Sequence, residues 1–216
     1  MTFDDLPLFP LDVVLYPGEA LPLHVFEPRY RAMVARCLRL DEPFGLVLAR
    51  AGGDVARVGC AARIERIVER YDDGRLDLVA RGEARVEIHR VVDRHAYRSA
   101  EASLLPESEG PVDASVRERV VALHMRLVEL AGRSVRMSLY ATPLVSYAVA
   151  HNAGLDTAQK QDVLELPGED ARLAYLAAHL EALLVRVEQV DEVRRKVRSN
   201  GHFRDFLPDD DGMPGD

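Results

Sequence analysis

Eight serines, two lysines and seven histidines are the residues with which this 216-residue chain could attack a bond or hold a metal, and their spacing argues against both. No serine stands in a GxSxG turn, the strained elbow that presents a nucleophile. A Ser-Lys dyad would have to use Lys160 or Lys196, and both fall on helix faces expected to be solvated, where nothing lowers a lysine pKa into the range of a base. His24, His89, His95, His124, His151, His179 and His202 are scattered, with no HExxH or HxH spacing, so no metal site is expected. Cys37 and Cys60 lie among apolar residues without a CxxC partner and are expected to be buried, reduced thiols. There is no GxxxxGK[ST] loop to cradle phosphates, and Gly52-Gly53 is an isolated pair in a turn. The acid pairs Asp72/Asp73 and Glu107/Glu109 are expected to be solvated turn formers. Neither catalytic residues nor a cofactor are therefore expected.

Charge narrows the partners. With 28 Lys+Arg against 36 Asp+Glu the net charge is −8, which repels phosphates, and no basic cluster offsets it; nucleic acid is not an expected partner. No stretch approaches the ~20 uncharged apolar residues that cross a bilayer. The N-terminal Met1-Thr2-Phe3-Asp4-Asp5 is acidic where a secretory signal is basic, so the expected location is the cytoplasm, away from any membrane.

The elements that would position any site change character near residue 106. From Pro7 to about Leu104 the apolar residues alternate or come in short runs, the strand signature: Leu6 to Phe9, Val13 to Tyr16, Leu21 to Val25, Phe44 to Leu48. A hairpin is expected with Ala62, Ile64, Arg66 and Val68 on one face, a turn at Asp72-Asp73-Gly74, and a return through Leu76, Leu78 and Ala80. A further strand is expected over Ala84 to Val92, paired with Tyr97 to Leu104. One helix interrupts, opening at Pro28 and carrying the stripe Tyr30, Met33, Val34, Cys37, Leu38.

After the loop Leu105 to Pro111 the period is helical. Val116, Val120, Leu123, Leu127 and Leu130 make one stripe, capped at Asp113 or Ser115 and stopped by Gly132. Thr142-Pro143 is expected to open a short helix, and Asp156-Thr157-Ala158-Gln159 has the form of a capping box. A last helix repeats Leu173, Leu176, Leu180, Leu183, Val187 and Val190, with Val197 near its end; such a stripe can be the spine of a bundle or a dimerisation seam. The expected division is 1–105 β-rich, 113–198 helical and 199–216 a disordered acidic tail.

The opening from Pro7 to Arg31 is dense in proline and apolar residues. Pro7, Pro10, Pro17, Pro22 and Pro28 each lack a ladder donor, so these strands must be short, bulged or at an edge, where an added peptide strand can pair. Leu21, Leu23, Val25 and Phe26 are for the most part expected to fill the interior.

The PLFPL and VLYPGEALPLHVFEPRYR segments resemble the N-terminal substrate-binding domain of the ATP-dependent Lon protease. Gly45 to Leu48, Val58 to Ala62, the Asp73-Gly74 hairpin with Val79 to Val86, and Gln159 to Leu166 continue the resemblance over roughly residues 6 to 198. It implies an α+β fold, a six-stranded PUA-like pseudo-barrel with one helix followed by an α-helical bundle. The ATPase and Ser-Lys protease modules that follow in Lon find no room in these residues, so the chain is similar to the stand-alone bacterial proteins of this domain type. The function implied is non-enzymatic binding of unfolded or exposed protein segments, as an adaptor for proteolysis, with a protease or chaperone as a further partner. Clients would enter a groove between barrel and helices, with His24, Phe26, Arg29 and Tyr30 as candidate peptide-binding residues. The alternative is an assembly protein that oligomerises or docks a partner through its long C-terminal helix; a peptidase is a third, disfavoured reading.

Overall fold

In the computed structural model, which describes residues 1–108 and 110–200 and side chains as far as Val190, the β-rich half is a closed sheet. The strands are β1 (Thr2–Leu11), β2 (Ala20–Val25), β3 (Phe44–Leu48), β4 (Val58–Arg70), β5 (Leu76–Val92) and β6 (Ser99–Leu104). β5 pairs with β4, β4 with β3, β3 in parallel with β1, β1 with β6, and β6 returns to the second half of β5. Five strands thus form a ring, which removes their free edges. Leu6, Leu8, Val47, Ala61, Val86 and Ile88 belong to a buried cluster drawn from β1, β3, β4 and β5.

The sixth strand lies outside the ring: β2 pairs only with the first half of β5, from Ala20 opposite Arg81 to Val25 opposite Leu76. Leu23 and Val25 pack with Tyr30, Met33, Val34 and Cys37 of helix α1 (Pro28–Leu40). Pro28 sits at the start of that helix as its fixed φ favours, and the stripe is as expected except for Leu38, which is 41% exposed. Burial pushes the Cys37 and Cys60 thiols up to about 12, so both stay protonated at neutral pH.

Three strand expectations need correction. Val13 to Tyr16 is not a strand; Val14, Leu15 and Tyr16 are buried one by one in an irregular crossing, without ladder bonds. Leu76 to Val92 is one 17-residue strand, not two, and Gly82 lies in mid-strand where the loop before β2 presses on it. The shared face from Ala62 to Val68 breaks because the register shifts between Ile64 and Arg66, a bulge that turns Val68 out to 60% exposure. The turn itself is as expected, with Gly74 at φ 83°.

The helical half comprises α2 (Ala114–Leu130), a 3-10 turn (Met137–Tyr140), α3 (Val145–Asn152), α4 (Thr157–Glu165) and α5 (Glu169–Asn200). The Asp113 carboxylate caps α2 by accepting from the Ser115 N–H at 2.8 Å. Asp156 and Gln159 form the reciprocal capping box of α4. Thr142-Pro143 does not open α3, which starts at Val145; the Thr142 carbonyl instead accepts from Arg117 at 3.0 Å. Beyond Asn200 the expected acidic tail lies outside the described residues, as does the side chain of Val197.

The two halves share buried surface. Val14 and Tyr16 from the β-rich half sit in one cluster with Val120, Tyr147, Leu164 and Leu176. Beside it, two arginines with no side-chain exposure, Arg85 of β5 and Arg172 of α5, both bond Glu107 of the connecting loop, at 3.0 and 2.7 Å. Glu107 is therefore not a solvated turn former, whereas its expected companion Glu109 lies outside the described residues.

His124 is the other buried ionisable group of note. Its Nδ1 meets the Tyr140 hydroxyl at 2.9 Å, its Nε2 is buried with no hydrogen-bond partner among the described residues, and burial holds its pKa below the ordinary histidine value of 6.5. A histidine that resists protonation only when folded costs stability as pH falls, beginning near the unfolded value. Urea unfolding at pH 7.5 and pH 5 should therefore show a loss of stability on acidification that is smaller in His124→Gln. An equal loss in both proteins would remove His124 from the acid response.

Candidate functional site

At the end of β2 the alternation that sends Leu23 and Val25 inward sends Pro22 and His24 outward, and the chain then turns into α1. Phe26, at that turn, escapes the interior and is 58% exposed. Its ring stacks on His24 with centroids 5.9 Å apart, and Tyr71 from the β4–β5 turn meets His24 edge-on at 6.1 Å. His24 is held from behind: its Nδ1 lies 2.5 Å from Asp77 Oδ1, and the Tyr71 hydroxyl donates to Asp77 Oδ2 at 2.8 Å. These bonds hold the Asp77 carboxyl below the usual carboxylate range and push the Tyr71 hydroxyl up to about 12, so the phenol remains a donor. The result is an aromatic platform in which bonds to Asp77 fix the His24 and Tyr71 rings and Phe26 stacks on His24.

Of the four candidate residues, the structure brings His24 and Phe26 together on this platform. Arg29 stands next to it, paired with Glu27 at 2.7 Å and lying 4.6 Å over the Tyr30 ring. Tyr30 is different: it is 8% exposed and packs on Phe9 with centroids 4.3 Å apart, as part of the core beneath α1. A groove of about 540 Å³ runs from here between α1 and the hairpin, lined by Pro28, Arg31, Ala32, Arg70, Tyr71 and Leu76. Tyr71 and Asp77 escaped the sequence reading because their place beside His24 depends on the β2–β5 register. The aromatic set among turn residues in Arg70-Tyr71-Asp72-Asp73-Gly74 is the available signal.

None of the four candidates lines the groove between barrel and helices. That groove exists, with a volume of about 560 Å³, and is bounded by Tyr16, Glu19, Glu83, Leu144, Tyr147 and His151 among others. Tyr16 stacks on Tyr147 at 5.2 Å, and its hydroxyl donates to the Lys160 carbonyl at 3.0 Å. Among the described residues no group of three His, Cys, Asp or Glu side chains could hold a metal ion, and no helix is long and apolar enough to cross a membrane.

This fold matches a known family over most of its length: residues 5–182 fit the model of the ATP-dependent protease La (LON) substrate-binding domain. The chain belongs to the LON substrate-binding domain family. Among curated proteins it is 30% identical to Lon protease 1 of Sorangium cellulosum over 89% of this chain, and 25% identical to Lon protease 2 of Syntrophobacter fumaroxidans over 91%. It spans 26% and 27% of those relatives' own lengths. Among solved structures the Lon N-terminal domain protein from Xanthomonas campestris superposes with a TM-score of 0.67 and 30% identity, covering 82% of this chain and 98% of that one. The N-terminal domain of Mycobacterium avium complex Lon protease, at 20% identity and a TM-score of 0.57, shares the fold. The LON-domain architecture, α+β with a six-stranded sheet and a helical C-terminal part, is that expected from the opening motif.

Proposed function

We propose that this LON-family chain binds exposed or unfolded segments of other proteins and does so without bond-breaking chemistry of its own. The observation that carries the reading is the Phe26–His24–Tyr71 platform, a large apolar ring held out in solvent by fixed neighbours at the mouth of a groove. An apolar client side chain resting there removes Phe26 from water, and the groove accepts the next side chain along.

The free side of β2 contributes less. Gly82 N–H donates to the Glu19 carbonyl at 2.9 Å, and continuing that alternation turns the backbone groups of Ala20, Pro22 and His24 away from β5. Pro22 has no N–H, so an added strand would lose the middle donor of three. Side-chain contact, not strand addition, is the main source of affinity. The setting proposed is the cytoplasm, with a protease or chaperone receiving the client.

The test is binding of dye-labelled, unfolded casein to the intact chain. Phe26→Ala should weaken it about tenfold, the size of an interface anchor, with the melting temperature unchanged. Unaltered affinity would remove the platform from the reading. ATP-independent cleavage of the casein that persists through repurification would overturn the non-catalytic part.

A second reading has its own observation. Leu183, Val187 and Val190 of α5 face a surface groove of about 610 Å³, and Val190 is 50% exposed, so this helix could dock a copy of itself or a partner. Sedimentation that stays monomeric at high concentration would argue against self-association.

A further inference from the structure

We infer that the groove between barrel and helices is a second binding site, separate from the Phe26 platform, and that it takes an apolar side chain carried beside a lysine or arginine. Its walls are apolar: Pro17 and Ala20 on the barrel side, Leu139, Leu144 and Ala148 on the helical side. Its volume, about 560 Å³, suits a few side chains. Among the described residues the charged groups at its lining are Glu19, Glu83 and His151, with no lysine or arginine. It shares no lining residue with the groove beside the platform, whose charged residues are Arg31 and Arg70.

Glu19 is the residue that gives this groove a preference. Its side chain is only 17% exposed, and one oxygen accepts the Tyr16 N–H at 3.1 Å while the other pairs with His151 of α3. A carboxylate so held is pre-oriented, and a charge-assisted bond to it is stronger than one made in open water. Glu83 is partly neutralised by Arg63 at 2.9 Å, and Arg81 is turned to the Gly18 carbonyl and to Glu65. The charge of Lys160 of α4 opposes protonation of His151, a smaller effect than the bond to Glu19.

A cationic client must therefore compete with His151 for Glu19. The bond to Glu19 raises the His151 pKa above its ordinary value, so at pH 6 the imidazolium occupies the carboxylate. As pH rises through that elevated value the charge on Glu19 is uncovered and the groove gains affinity for a cation. The same step removes the His151–Glu19 contribution to stability, which is fully present below the unfolded value of 6.5.

Fluorescence anisotropy with two labelled peptides tests this on the intact chain. Both carry the same Leu-Phe-Leu core, one flanked by arginines and one by glutamates. At pH 9 the arginine peptide should bind about tenfold more tightly, as expected for a charge-assisted bond to a half-buried carboxylate. The preference should shrink at pH 6. Glu19→Gln, which keeps an acceptor for the Tyr16 N–H, should bring the two peptides within about twofold, and Glu83→Gln should have a smaller effect in the same direction. His151→Gln should retain the preference and lose its pH dependence, and Phe26→Ala should leave the preference intact. Equal or reversed affinities, binding of neither peptide, a preference that survives Glu19→Gln, or one lost in Phe26→Ala would each overturn the assignment. Failure of the casein test on Phe26→Ala bears only on the platform.

Discussion

Replacing Arg172 by alanine is expected to cost this protein about 3–5 kcal/mol of stability and to lower its melting temperature by about 10 °C, because the change strands the buried carboxylate of Glu169 without its counter-charge. Arg172 has no side-chain exposure. Its Nε donates to Ser146 Oγ at 2.8 Å, and its Nη2 donates to Glu107 at 2.7 Å and to Glu169 at 3.1 Å. Glu169, 6% exposed at its side chain, also accepts from the Ser146 N–H at 2.8 Å and from the Ser146 hydroxyl at 2.5 Å. The Tyr147 ring lies 4.2 Å from the guanidinium and donates its hydroxyl to Glu107 at 3.1 Å. Without Arg172, Glu169 keeps the serine but loses its counter-charge, and Glu107 retains Arg85 and the Tyr147 hydroxyl.

Lysine at 172 should recover little, since a single ammonium cannot satisfy Ser146, Glu107 and Glu169 together from one plane. The Glu169→Gln/Arg172→Met pair is a sharper comparison. Removing both charges should be much less costly than the two single changes summed, because the penalty arises from the unpaired ion and not from the missing bond. Equilibrium denaturation of the four proteins measures the coupling. A single-variant loss below 1 kcal/mol would mean that water reaches the network and that Arg172 is not the closure between α3, α5 and the connecting loop.

How much of this was legible beforehand follows from the range of each interaction. Helix α1, the Asp156–Gln159 capping box and the Gly74 turn depend on residues within a few positions of each other, and local pattern finds them. The opening motif carried the family and with it the architecture. The Arg85–Glu107–Arg172 network joins residues 22 and 65 positions apart, and nothing in the composition of the connecting loop distinguishes a glutamate that pairs with two buried arginines from a solvated one. Their place in the opening segment marks His24 and Phe26 as candidates, but Asp77 and Tyr71, which hold His24, come from another hairpin. Apolar run length misled at Val13 to Tyr16, where burial comes from side chains entering two different cores: Leu15 joins α1's, and Val14 and Tyr16 join the helical half's.

Gly82→Ala is the second change expected to have a large effect, about 3 kcal/mol, and it follows from a close approach that no pattern announces. A Cβ at Gly82 would lie 2.3 Å from the Tyr16 carbonyl oxygen and 2.9 Å from Cys60 Sγ. The first of these is backbone and cannot swing aside, so the 16–19 loop must lift from β5. That loop is fastened here by two bonds, Gly18 N–H to the Gly82 carbonyl at 2.8 Å and Gly82 N–H to the Glu19 carbonyl at 2.9 Å. Lifting it loosens Tyr16 from Tyr147 and moves Glu19 relative to His151, so the barrel loses both its packing on the helices and one wall of the groove between them. Gly110→Ala, where no atom of the described residues lies within 4 Å of the added carbon, is the control and should change stability by less than about 0.5 kcal/mol. The two variants also separate packing from chain stiffness, since alanine restricts the unfolded chain equally at both positions. If Gly82→Ala melts with the parent protein, the approach of the Tyr16 loop to β5 does not contribute to holding the two halves together.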